Sequence, residues 1–223
     1  MTDEHDHPGT LPLVDEESWR DLETFLGRAK FVDPDGAARL RADGDVLAVY
    51  VSPVHGGGGV DVLGLRVFAL SEPRDLDVVV ELAAVTDRLA REAAAPVLAV
   101  PPTPLSGVAW AGVAPPRGGW APVADVPAAA LREVARQGVA EVAAGAPDVA
   151  GAPAVSRLRA RVWSRPITLA ALPAGADVPT GAAFAAESLG FLTGEPVAVR
   201  AAGPWRRLST SAGHVLTRRP LGT

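Results

Sequence analysis

From Trp19 the apolar positions return at helical spacing, Trp19, Leu22, Leu26 and Ala29, with mostly charged residues between them. This predicts an amphipathic helix ending near Lys30, started by Asp15 as N-cap and by Val14 stapling onto Trp19. Asp33-Pro34-Asp35-Gly36 then reads as a turn, because proline presets φ and glycine tolerates the left-handed region. Two strand-like runs, Ala38 to Ala42 and Val46 to Ser52, flank Asp43-Gly44, which is a hairpin signal. Val60 to Leu70 is again strand-like. The period then changes: Leu76, Val79, Val80, Ala83 and Leu89 suit a helix that is capped within Ser71 to Asp75 and stops before Pro96.

Farther on, Val97 to Val100 predicts a short strand, and Ser106 to Val113 and Trp120 to Val123 read as extended. Asp125 is placed to cap a long helix whose stripe is Leu131, Val134, Ala135, Val139 and Val142, ending near Gly145. Leu158 to Thr168 reads as a strand with alternating arginines, and Gly181 to Leu192 as a short helix with Thr180 as cap and Gly194 as terminator. Val197 to Arg200, Trp205 to Ser209 and His214 to Arg218 predict a terminal meander. Hairpin signals outnumber βαβ alternation, so the expected class is α+β, mainly antiparallel sheet with three or four helices. The expected division is a disordered tail over 1–13, an α+β domain over 14–145, a small-residue linker from Gly145 to Pro153, and a smaller basic α+β subdomain over 153–220 that can pack with the first as one unit.

Composition narrows the class. Nearly half of the 223 residues are apolar, enough to bury a core. Cysteine is absent, which removes disulfides, thiol nucleophiles and thiolate metal sites and fits a reducing cytoplasm. Residues 93–116 carry no charge, but Pro96, Pro101, Pro102, Pro104, Pro115 and Pro116 break any spanning helix, so no membrane is expected. One lysine against twenty arginines points to GC-rich bacterial codon usage. The net charge of −5 is uneven: −7 over residues 1–50, −4 over 51–150 and +6 over 151–223. That asymmetry implies an anionic partner for the last third or its packing on the acidic remainder.

Little of the chain looks like catalytic chemistry. The run Gly56 to Gly59 lacks the helix that a phosphate loop needs behind it, and is followed by strand residues, so it reads as a connection between strands. His55 stands at its base. Counting from Asp33, the twelfth position is Gly44 and not glutamate, so a calcium loop fails. His5 and His7 lie in a polar tail, and neither metal nor cofactor is expected. A hydroxyl among Ser209, Thr210 and Ser211 could be served by His214, but glycine at 213 makes a polar turn the simpler reading. The arginines carry more. Arg157, Arg159 and Arg161 would share one face of a strand, and Arg206, Arg207, Arg218 and Arg219 flank the last hairpin; together with Trp163 and Trp205 they form a candidate polyanion-binding set. Trp110 and Trp120, beside proline-rich loops, are candidate partner anchors. The leading expectation is a cytosolic, non-catalytic binding or regulatory protein that self-associates or meets a protein partner. The alternatives are a nucleic-acid-associated protein using the basic third, and a hydrolase-like enzyme with His55 or His214 as base.

Overall fold

The computed structural model describes residues 9–55, 61–91, 96–145 and 151–218. Within them are eight strands and five α-helices, an α+β fold built on antiparallel sheets. The chain divides into two compact units, one formed by residues 1–51 and 66–112, the other by 52–65 and 113–223.

The first unit opens with β1 (Thr10–Pro12) and α1 (Glu16–Val32). The Asp15 side chain accepts the Ser18 amide proton at 2.7 Å, and Trp19, Leu22, Phe25, Leu26 and Ala29 form the buried face of the helix. The turn after it closes with the Gly36 amide donating to the Asp33 carbonyl at 3.1 Å. A β-carbon at Gly36 would stand 2.9 Å from Leu82 Cδ1, so a larger residue there would have to shift the Leu82 side chain. Strand residues run unbroken through β2 (Ala37–Val54), yet the buried face changes phase inside it. Ala38, Leu40 and Ala42 are buried before residues 43–46, which are exposed, and Leu47, Val49 and Val51 after them. Gly44, at φ +64°, sits where that phase changes, but the hairpin expected at Asp43-Gly44 is not formed, since the strand continues through it.

β3 (Val62–Glu81) continues through the segment expected to be helical, and α2 (Leu82–Arg91) starts later than the spacing predicts. Val78, Val79 and Val80 are β-branched in succession, which favours strand over helix, and the Leu82 amide donates to the Gly36 carbonyl at 2.9 Å. Beyond it β4 (Val97–Ala99) pairs antiparallel with β1. Residues 109–112 form a short 3-10 turn in place of the extended segment expected there. α1 and α2 pack on each other.

The second unit holds β5 (Ala121–Val126), α3 (Ala128–Ala144), α4 (Ala152–Ser164), α5 (Thr180–Ser188), β6 (Val197–Ala202), β7 (Trp205–Thr210) and β8 (Gly213–Arg218). Its sheet has the order β2-β3-β8-β7-β6-β5, and the three terminal strands are the meander the sequence predicts. Asp125 is not the cap of α3. It stays in β5, paired with Ala198, and Pro127 at the N-cap holds Val126 before it in extended backbone, so the helix starts only after the proline. The segment expected as an arginine-bearing strand is the helix α4: Pro153 presets its first turn, and Val155, Leu158 and Val162 follow at helical spacing. This supplies the fifth helix. The suggested linker after Gly145 lies inside this unit, between α3 and α4, with residues 146–150 outside the described ones.

Small residues control how these helices meet. α5 buries Gly181, Ala182, Ala183, Ala185 and Ala186, and a β-carbon at Gly181 would stand 3.0 Å from the Trp163 carbonyl oxygen. Trp163 itself stacks on Phe184 at 4.5 Å between ring centroids. α3 and α4 both pack against α5, which in turn lies against β8. No helix among the described residues is long and apolar enough to cross a membrane.

Candidate functional site

Two short turns set the register of the terminal sheet. Gly203, at φ +54°, and Pro204 join β6 to β7, so that Ala202 faces Trp205 and Arg200 faces Arg207. Ser211 and Ala212 join β7 to β8, so that Ser209 faces His214, Arg207 faces Leu216 and Trp205 faces Arg218. Residues directly opposite in an antiparallel pair share a face. Arg200, Arg207 and Arg218 therefore stand on one side of the sheet with Trp205, Ser209 and His214. The other side carries the buried Val197, Val199, Leu208 and Val215.

The adjacent Arg206 points to that other side. Its Nε donates to the Ala176 carbonyl at 2.7 Å, its Nη1 donates to the Gly203 and Trp205 carbonyls, and Asp177 lies 3.9 Å away. It ties a loop to the sheet, so it does not join Arg207 on one surface. Arg157, Arg159 and Arg161 are all exposed on α4, but the helix turns Arg159 away from the face that Arg157 and Arg161 share, where a strand would have aligned the three. Arg219 lies outside the described residues, as do His5, His7 and the run Gly56 to Gly59. A strand, β3, follows that run.

Arg207 is the centre of the arginine face. Its guanidinium carbon lies 4.5 Å from the centroid of the Trp120 ring, and Trp120 is held by its own Nε1–H donating to the Pro116 carbonyl at 3.1 Å. Burial first, and then the charge of Arg200, push the Arg207 guanidinium below the usual arginine value. Burial, followed by the charge of Arg207, also lowers the His214 imidazole, so it is neutral at pH 7. Among the described residues Arg200 and Arg207 have no acidic partner. Asp125, which shares their face opposite Ala198, is ion-paired to neither.

Three buried polar atoms on this face, Arg207 Nε, Ser209 Oγ and His214 Nδ1, have no hydrogen-bond partner. A buried polar group left so costs about 1–3 kcal/mol. Ser209 stands opposite His214 without bonding to it, so the hydroxyl–imidazole pair that nucleophilic catalysis needs is not formed. His55 is exposed at the end of β2. Trp110 is 8% exposed within the 3-10 turn of the first unit, its ring packed in its own chain, and Trp120 is half-buried under Arg207. Sequence reading missed Arg200 as a member of the site. The two-residue loop Gly203-Pro204 was the available signal, since it places Arg200 opposite Arg207.

A groove of about 490 Å³ lies between α3 and α5, lined by Ala129, Ala135, Val139 and Phe184 with Arg132 and Arg136 at its edge. Both arginines are engaged, Arg132 with the Leu192 carbonyl and Glu187, Arg136 with Glu133. No group of three or more metal-ligating side chains occurs among the described residues.

Comparison with known proteins bears first on the fold. Over 96% of this chain and 66% of the other, the structure matches a DnaN sliding clamp, the β subunit of DNA polymerase III, from Bartonella birtlesii, crystallised with griselimycin, at a TM-score of 0.54 and 12% identity. The fold is clamp-like. A β sliding clamp of C. crescentus matches at 0.51 and 12% identity over 97% of this chain and 66% of the clamp, and Caulobacter crescentus pol III β at 0.52 and 13% over 92% and 64%. The clamp-like chain thus spans just under two thirds of the clamp chains it matches. Residues 7–112 match the model of a domain of unknown function, DUF8010, and residues 115–222 that of another, DUF8185. No curated protein matches the sequence. No enzyme family is among these matches.

Proposed function

We propose that this chain is a non-catalytic, self-associating binding protein of sliding-clamp architecture that acts on DNA in the cytoplasm. The observation that carries the reading is the clamp-like fold itself, which extends over 96% of the chain and so takes in both compact units. The charge of +6 over residues 151–223 supports it, as do the exposed arginines of α4, since exposed guanidinium groups attract the phosphates of a duplex irrespective of sequence.

Sedimentation velocity with and without a labelled duplex tests the reading. The expected result is a species heavier than the 22.9 kDa single chain, which carries duplex with it at about 50 mM salt and releases it as salt is raised. A single-chain species at every concentration, with no duplex bound at low salt, overturns it.

A further inference from the structure

We propose that the face shared by β6, β7 and β8 holds a phosphate-binding site formed by Arg200, Arg207, Ser209 and His214. The inference stands apart from the DNA reading, because it concerns one phosphate group and not a polyanion field. Arg200 and Arg207 are cross-strand partners, so two cations are fixed side by side, and among the described residues no carboxylate neutralises either. Such a pair is repulsive unless an anion bridges it.

The remaining members supply donors and no competing charge. Arg207 Nε–H and the Ser209 hydroxyl are two residues apart on one strand, hence on the same side, and His214 stands directly opposite Ser209. All three have a buried polar atom without a partner. The imidazole is neutral and carries one N–H, which can be placed on Nδ1. Trp120 covers the flat face of the Arg207 guanidinium and leaves its in-plane N–H groups for an acceptor. A tetrahedral dianion matches this set: it has enough oxygens for two guanidinium groups, a hydroxyl and an imidazole, and a charge that cancels both cations. A carboxylate has half the oxygens of phosphate and a single charge.

Thermal unfolding in sodium phosphate, against sodium chloride of equal ionic strength, reads the site, together with the His214 ring resonance identified by its loss in His214→Gln. Wild type is expected to gain melting temperature in about 10 mM phosphate and to shift the His214 signal. Arg200→Gln removes no hydrogen bond or ion pair seen among the described residues, so it should fold as wild type and bind phosphate about tenfold more weakly. Arg207→Gln should abolish the response. O-phosphoserine and a short single-stranded oligonucleotide, added as competitors, separate a free phosphate ester from a backbone phosphodiester as the source. The proposal falls if phosphate acts no differently from chloride, if both arginine variants respond like wild type, or if the oligonucleotide binds and inorganic phosphate does not.

Discussion

Gly138 shows how one missing β-carbon can set a packing distance. It is buried in the middle of α3, and a β-carbon there would overlap the Trp163 ring, whose other neighbour is the Phe184 ring at 4.5 Å. Alanine at this position gains about 1 kcal/mol of helix propensity but must displace an indole held by stacking, which costs about 1–3 kcal/mol. Gly138→Ala is therefore expected to lower the urea unfolding free energy, by about 1 kcal/mol. His214 makes a second prediction at this scale. Its folded imidazole refuses a proton that the unfolded chain takes up below about pH 6.5, so stability falls as pH drops through that value. Unfolding curves at about pH 7.5 and 5.5 should show a smaller loss in His214→Gln than in wild type. Neither residue was fully legible beforehand: glycine does not register in a hydrophobic stripe, and the burial of His214 is set by strands that only the fold brings together.

Among the elements, those whose period agrees with their local chemistry were readable. The helix after Asp15, with its cap, and the terminal meander, whose first turn carries Gly203, occur where the sequence places them. Period and chemistry disagree elsewhere. The stripe expected on α3 took in Val139, which is 47% exposed, because the true buried line passes through Ala128, Leu131, Ala135 and Gly138. Alternating arginines imitated a strand in α4, where the apolar residues between them keep helical spacing. The end of β3 was obscured by apolar residues that satisfied both periods. That end is held by a bidentate pair, Arg39 Nε and an Nη to the two Asp77 oxygens at 2.7 Å each, while the other Nη donates to the Ala111 carbonyl at 2.7 Å. The Arg39 guanidinium accordingly holds the Asp77 carboxyl below its ordinary range, so this stabilisation is present above about pH 4 and is lost as pH falls through the lowered value. Asp77→Asn should cost about 0.5–1 kcal/mol at neutral pH, allowing for solvent at a partly exposed pair, measured by denaturant unfolding.

For the molecule as a whole, the charge asymmetry of the sequence survives folding in divided form. Arg206 is tied into its own loop, Arg207 and Arg218 share the sheet face, and the arginines of α4 are exposed. Reversing Arg157 and Arg161 to glutamate should weaken retention on heparin and on duplex DNA, reduce its salt dependence, and leave the melting temperature nearly unchanged, since neither residue is buried. Equal retention of wild type and this double variant would remove α4 from the polyanion surface.

The boundary between the two matched family models, 112 to 115, is not where the compact units divide, because residues 52–65 belong with the second. Within them Val62 to Leu65 pair with Thr217 to His214. A polypeptide cut at that boundary would leave β8 with a bare edge, while the segment that completes it travels on the other half. Separately produced halves should thus aggregate or pair edge to edge when alone, and recover a native-like spectrum when mixed, by strand addition. The protein would then behave as a naturally splittable pair, in which neither half is a finished product.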